Sequence, residues 1–288
     1  MYPPLVYLNG AFLPPAEARV SPFDRGFVFA DGVYEVIPVY GRRMFRMRQH
    51  LKRLDDSLAG IRVRNPLASG EWEQIFRRLT DAVAADDQSV YLQVTRGPAP
   101  RDHAFPPDPQ PTVFAYAAPL KYADAQQLAN GVAAITTSDI RWLRCDIKAI
   151  ALLPNVLLRQ QATEAGAAEA ILVRDGLAME GSASNIFAVV DGVLVTPPKG
   201  PFILPGITRD LVLELAHTHG VSCEERMLKE SELAKASELM LSSSTKELLP
   251  ITTLNGKPVA GGKPGPVHAR LYALYQDYKR EFRAGRAD

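Results

Sequence analysis

Several stretches of the chain carry residue types that neither a plain core nor a plain surface requires. Lys148 closes the run Arg141-Trp-Leu-Arg-Cys-Asp-Ile-Lys148 and is followed by Ala149, Ile150 and Ala151. A lysine amine attacks a carbonyl only when neutral, so it needs desolvation or neighbouring positive charge. The apolar residues around Lys148 supply the first, and Arg141 and Arg144 offer the second. Glu180 ends a strand-like run and opens Glu180-Gly-Ser-Ala-Ser-Asn185. Gly206-Ile207-Thr208 enters a helical stretch, where backbone N–H groups and a hydroxyl can face an anion. Arg101 and His103 are two residues apart and share one side of the chain if it is extended, as gripping a carboxylate requires. The last stretch of interest is Phe23-Asp-Arg-Gly-Phe-Val-Phe-Ala-Asp-Gly-Val-Tyr-Glu35. Each has a plainer reading when taken alone. Lys148 and Glu180 would be surface charges, Thr208 a helix cap, and Arg101–His103 part of a polar loop.

The elements that must position these residues are short strands joined by tight turns. Leu5 to Leu13 reads as a hairpin with Asn9-Gly10 at its turn. Val33 to Tyr40 roughly alternates, and Pro38 marks an edge or a bend. His50 to Ile61 and Glu71 to Ala84 have helical spacing, and Ser89 to Arg96 and Thr112 to Ala118 are strand-like. Pro119 to Gly131 is poor in large apolar residues and divides the chain into a smaller domain, 1–120, and a larger one, 121–288. Beyond it, Val132 to Thr137 reads as a strand, and Pro154 to Ala165, Thr208 to His217 and Val267 to Arg283 read as helices. Asp175-Gly176, Asp191-Gly192 and Asn255-Gly256 mark three more hairpins. The fold class is α/β (α+β), with mostly antiparallel or mixed sheets or barrels and flanking helices.

Composition excludes several classes. A formal net charge of +1 provides no field for nucleic acid or an anionic membrane. No apolar run approaches the roughly 20 residues of a membrane helix, and no leader segment is visible at Met1-Tyr-Pro-Pro. The two cysteines, Cys145 and Cys223, form neither a disulfide framework nor a metal pattern, which fits a reducing cytoplasm. No metal site is expected. GxGxxG, GxxxxGK[ST], HExxH and GxSxG are all missing.

Taken in order, the strings Asp139-Ile-Arg-Trp-Leu-Arg-Cys-Asp-Ile-Lys148, Thr95-Arg-Gly with Pro100-Arg-Asp-His103, and Glu180-Gly-Ser-Ala-Ser resemble the class IV (fold-type IV) aminotransferases. In detail the chain is most similar to the D-amino-acid aminotransferases. The resemblance implies a pyridoxal 5′-phosphate (PLP) enzyme with its site between the two domains, the larger one binding the cofactor. It implies that Lys148 holds the cofactor covalently and moves the substrate proton. It further implies Glu180 at the pyridine nitrogen, Leu204 against one cofactor face, and Arg53, Gly206, Ile207, Thr208, Ser243 and Ser244 around the phosphate. Tyr34, Arg101 and His103 would trap the substrate carboxylate, the last two reaching from the partner of a homodimer. The implied substrates are an amino acid and a 2-oxo acid, with D-alanine and 2-oxoglutarate giving pyruvate and D-glutamate by a ping-pong cycle. Ala183 departs from the serine found at this place in such enzymes, which removes one hydroxyl. Alternatives are an L-branched-chain aminotransferase, an (R)-selective amine transaminase, an aminodeoxychorismate lyase, and an inactive PLP-binding dimer.

Overall fold

Turn chemistry sets the strand pairing. The computed structural model describes residues 2–288. Asn9-Gly10, Asp175-Gly176, Asp191-Gly192 and Asn255-Gly256 each have both residues at positive φ. That is the type I′ geometry, whose twist matches paired antiparallel strands. All four dipeptides join adjacent antiparallel strands.

The contacts divide the chain into two compact units: 1–120 with 147–151 and 288, and 121–146 with 152–287. The first unit contains β1 (Val6–Leu8), β2 (Ala11–Leu13), α1 (Arg25–Phe29), β3 (Gly32–Tyr40), β4 (Arg43–Met44), α2 (Met47–Gly60), α3 (Ser69–Asp81), β5 (Gln88–Thr95) and β6 (Thr112–Pro119). Its sheet is antiparallel in the order β2-β1-β6-β5-β3-β4. Pro38 lies near the sheet margin, where only the two-residue β4 follows β3. Alternation sends Val33, Glu35 and Ile37 of β3 and Val90, Leu92 and Val94 of β5 to a covered face. On that face pack Leu51, Leu54 and Leu58 of α2 and Trp72, Ile75, Phe76 and Leu79 of α3. The opposite face carries the half-buried rings of Tyr34, Tyr91 and Tyr116, stacked at centroid distances of 5.8 and 5.2 Å.

The second unit contains α4 (Ala125–Asn130), β7 (Val132–Ser138), α5 (Leu153–Glu164), β8 (Glu169–Arg174), β9 (Leu177–Gly181), β10 (Asn185–Val190), β11 (Val193–Thr196), α6 (Ile207–Thr218), β12 (Cys223–Glu225), β13 (Leu228–Lys229), α7 (Glu230–Leu233), β14 (Glu238–Ser243), β15 (Glu247–Leu254), β16 (Lys257–Pro258) and α8 (Pro266–Arg283). Its ten-stranded sheet runs β12-β11-β10-β14-β15-β7-β8-β9-β13, with β16 on β15. The sheet is mixed, because β7 pairs in parallel with β8 and β15 and β11 pairs in parallel with β12. One side of it is covered by α6 and α8, whose Val212, Leu213, Ala216 and Leu271 meet Phe187, Val189 and Met240. The α5 helix buries Leu158 and Ala162 against Ala170 and Leu172 of β8. The short α1, β4, β12, β13 and α7 were not anticipated, because elements of two to five residues leave no readable period.

Candidate active site

In the first unit, residues 147–151 run along the start of β3. The Tyr34 N–H donates to the Lys148 carbonyl at 3.0 Å, and the Ile150 N–H donates to that of Gly32 at 3.0 Å. The Lys148 N–H donates to Ser57 Oγ at 3.1 Å, which ties the segment to α2. The half-buried Lys148 ammonium lies 4.2 Å from the centroid of the Tyr34 ring. An ammonium over an aromatic face is attracted by the ring's negative π-cloud. The expected positive neighbours are engaged elsewhere: Arg141 pairs with Asp139 and Glu180, and Arg144 pairs with Asp146.

Beneath β3, Glu35 is fully buried and bound by two residues of α2. Arg53 donates from Nε to Oε1 at 2.7 Å and from Nη2 to Oε2 at 2.9 Å. His50 Nδ1 is 2.8 Å from Oε2. Burial would raise the Glu35 pKa, but Arg53 and His50 more than offset it and hold the carboxyl well below its usual range. Burial pushes the His50 imidazole down, against the pull of Glu35. Arg53 is thus fixed on the inner face of α2, 6 % exposed.

In the second unit, Glu180 is the penultimate residue of β9, at 4 % exposure. Its Oε1 accepts a hydrogen bond from Arg141. Its Oε2 accepts from Asn185 Nδ2 at 3.0 Å and from the Leu204 N–H at 3.0 Å. Arg141 is gripped from behind by Asp139, which also accepts from Arg174 at 2.9 Å. Burial raises the Glu180 pKa to about 7, with Arg141 and the Leu204 N–H opposing the rise. Asn185 also donates to the Leu204 carbonyl at 2.9 Å, so one amide fixes both Glu180 and Leu204. Leu204 is half-buried.

The turn between β9 and β10 is held by Glu169 on β8. Glu169 accepts hydrogen bonds from the Ser182 hydroxyl, from the Ser182 N–H at 3.1 Å and from Ser184 Oγ at 2.8 Å. Ser182 and Ser184 are therefore turned inward, and Ala183 between them is exposed. After Leu204, Gly206 caps α6 without a side-chain hydrogen bond, which leaves the first-turn N–H groups of Ile207 and Thr208 free of a side-chain cap. Thr208 is 5 % exposed, and its hydroxyl makes no hydrogen bond among the described residues. It is not the helix cap. Ser243 and Ser244 are half-buried at the end of β14, and Ser243 Oγ accepts from the Lys246 N–H at 3.2 Å.

Arg101 and His103 are exposed on the loop after β5. Both touch one ring: the Arg101 guanidinium lies 5.3 Å from the Phe29 centroid, and the His103 ring lies 5.3 Å from it. The structure thus brings together Lys148 with Tyr34, Arg101 with His103, and Glu180 with Leu204. Among the described residues, no hydrogen bond or ring contact joins Arg101 or His103 to Tyr34 or Lys148.

The chain matches the family model of Amino-transferase class IV over residues 32–254. It is a class IV aminotransferase. It is 41% identical to the D-alanine aminotransferase of Bacillus licheniformis, over 94% of this chain and 96% of the relative. Its fold, that of the fold-type IV enzymes, is similar to the branched-chain amino acid aminotransferase of Escherichia coli, at a TM-score of 0.91 and 26% identity. That likeness covers 100% of this chain and 97% of the other. It is also similar to the T.th. branched-chain amino acid aminotransferase with pyridoxamine 5′-phosphate, at a TM-score of 0.90 and 26% identity, covering 99% of this chain and 96% of that one.

In this class IV aminotransferase, sequence reasoning missed the groups that hold the named residues. Asp139 and Arg141 were read as part of a motif, not as the brace behind Glu180. Asn185 was read as the end of the Glu-Gly-Ser-Ala-Ser run, and Glu35, His50 and Glu169 carried no role. For Glu35 a signal existed: a charge at an inward position of a strand needs a buried partner.

Proposed function

We propose that this aminotransferase moves the amino group of D-alanine and other D-amino acids to a 2-oxo acid such as 2-oxoglutarate. The observation that carries the reading is the exposed Arg101–His103 pair set on the Phe29 ring, a cationic and hydrogen-bonding couple suited to a substrate carboxylate. The near full-length likeness to a D-alanine aminotransferase supports it. As a class IV enzyme the chain uses pyridoxal 5′-phosphate. The residues present fit that group: the α6 N-terminus and the hydroxyl of the buried Thr208, which makes no hydrogen bond among the described residues, suit a phosphate. A braced carboxylate at Glu180 suits a protonated ring nitrogen. Bound, the cofactor supplies an electron sink for the substrate Cα–H bond and carries the amino group between half-reactions.

Lys148 is the covalent anchor and the base that takes the proton from the substrate Cα. Glu180 keeps a proton on the ring nitrogen. Gly206, Ile207, Thr208, Ser243, Ser244 and Arg53 bind the phosphate, with Arg53 oriented by Glu35 and His50. Leu204 would help hold the cofactor by packing its apolar side chain on the ring. Tyr34, Arg101 and His103 bind the substrate carboxylate, the last two from a partner protomer. The test mixes the yellow enzyme with single D- and L-amino acids and follows the visible absorption. D-Alanine should bleach it to the pyridoxamine form. Bleaching by L-leucine and L-valine without D-alanine sinks the assignment in favour of a branched-chain activity.

The protein acts as a homodimer in this reading. Leu153, Val156 and Leu157 of α5, at helical spacing, are 69, 59 and 54 % exposed, and Ile140, Trp142 and Leu143 are 57, 46 and 64 % exposed. Apolar surface of this extent is what a second copy covers. Its place is the cytoplasm, since both cysteines are free thiols. Among the described residues no helix is long and apolar enough to cross a membrane.

A further inference from the structure

The segment Phe23 to Glu35 stood out in the sequence, and the roles above use its Phe29, Tyr34 and Glu35. Its first half has a different engagement. The Arg25 side chain is 5 % exposed. Its Nε donates to Asp31 Oδ2 at 2.8 Å, and its Nη1 donates to the carbonyls of Asp102 at 2.5 Å and Ala104 at 3.3 Å. These two carbonyls bracket His103, and Asp102 follows Arg101. The guanidinium therefore grips the backbone of the loop that presents both exposed side chains. Asp31 is the anchor of the grip. It also accepts from Arg96 Nε at 2.7 Å and Nη2 at 3.0 Å, and Arg96 stacks 3.8 Å from the centroid of Phe105, two residues after His103 on the loop. The side chains are set by a second contact. Phe29, one turn after Arg25 on α1, lies 4.8 Å from the Arg25 guanidinium and 5.3 Å from both the Arg101 guanidinium and the His103 ring.

We propose that Arg25, Asp31 and Phe29 are positioning residues for carboxylate recognition, with Arg25 fixing the backbone of the Arg101–His103 loop and Phe29 fixing the two side chains. The loop has no regular secondary structure between Ala99 and Pro111, so these contacts replace the ladder that would otherwise hold it. An exposed arginine loses rotamer freedom when it is fixed on a ligand. A ring that already holds it in place reduces that loss. The inference rests on the carboxylate role given above to Arg101 and His103.

The test uses the holoenzyme in single-turnover half-reactions with D-alanine and with D-alaninamide, which keeps the methyl group and amine but lacks the carboxylate. Misplacement of a recognition group by about 1 Å costs on the order of 100-fold. Arg25→Ala and Phe29→Leu should lower the efficiency with D-alanine by about that factor, mainly through weaker binding, and change that with D-alaninamide by less than about threefold. Arg25→Lys guards against a failure to fold, and its melting temperature should match the parent. Independently of turnover, propionate should raise the melting temperature of the parent and do so less for Phe29→Leu. Equal losses with both substrates, or no loss with either, would falsify the proposal. Arg101→Ala separates the two levels. If it loses D-alanine selectivity and the Arg25 and Phe29 variants keep it, the positioning role alone fails. If Arg101→Ala keeps it too, the carboxylate trap fails and takes the positioning role with it.

Discussion

Glu180 and Glu35 are both buried carboxylates, and their surroundings give them opposite tendencies. Glu180 has one shared arginine and a pKa raised to about 7, above its ordinary 4.5, so burial dominates and the folded chain favours its proton. Such a group adds stability below pH 4.5 that is lost as the pH rises through 7. In cofactor-stripped protein, Glu180→Gln should therefore flatten the stability profile between pH 4.5 and 7, by on the order of 3 kcal/mol in a denaturant titration. The same variant should lower kcat of the holoenzyme by about 100-fold or more, since the amide has no negative charge to keep the ring nitrogen protonated. Glu35 and His50 run the other way. Both have depressed values, so their contribution is present near neutrality and is lost as the pH falls below 6.5 for His50 and below 4.5 for Glu35. Glu35→Ala leaves Arg53 buried without its carboxylate and should cost about 3–5 kcal/mol, measured by chemical denaturation.

The elements differ in how much of them the sequence discloses. Asn9-Gly10 and Asp191-Gly192 state their own turn geometry, because positive φ at two successive residues is a local demand. The helices at 47–60 and 69–81 announce themselves by period. Glu169 is a different case. Its hold on Ser182 and Ser184 depends on how β8 lies beside the β9–β10 turn, and no local pattern encodes that. Arg25 is the same kind of case, since its partners Asp102 and Ala104 are far along the chain. Motif strings located Lys148 and Glu180. The second element-level consequence concerns the entry to α6. A Cβ on Gly206 would lie 1.9 Å from Asn185 Oδ1, so Gly206→Ala must displace the amide that holds Glu180 and Leu204. We expect a loss of about 1–3 kcal/mol in stability, together with weaker cofactor retention in equilibrium dialysis. Full retention would show that the Asn185 brace is dispensable.

At the scale of the whole molecule, the exposed leucines and valine of α5 argue for a second copy. In the proposed dimer, Leu157→Glu should shift the protein toward monomer in light scattering and abolish transamination, because Arg101 and His103 would then lack the partner site they serve in that reading. The stretch 147–151 has a consequence for synthesis. Ile147 belongs to the core of the first unit, and the backbone of Lys148 is bonded to β3 and α2. A chain emerging from the ribosome in order has all of 1–120 available long before it has these five residues. The first unit thus waits, its β3 margin unpaired, while 26 residues of the other unit pass through the exit tunnel (121–146). A nascent chain halted before Ile147 clears the tunnel leaves the start of β3 without the backbone hydrogen bonds that Lys148 and Ile150 supply. Residues 147–151 then close that margin and bring in Lys148, the cofactor anchor of the proposed function.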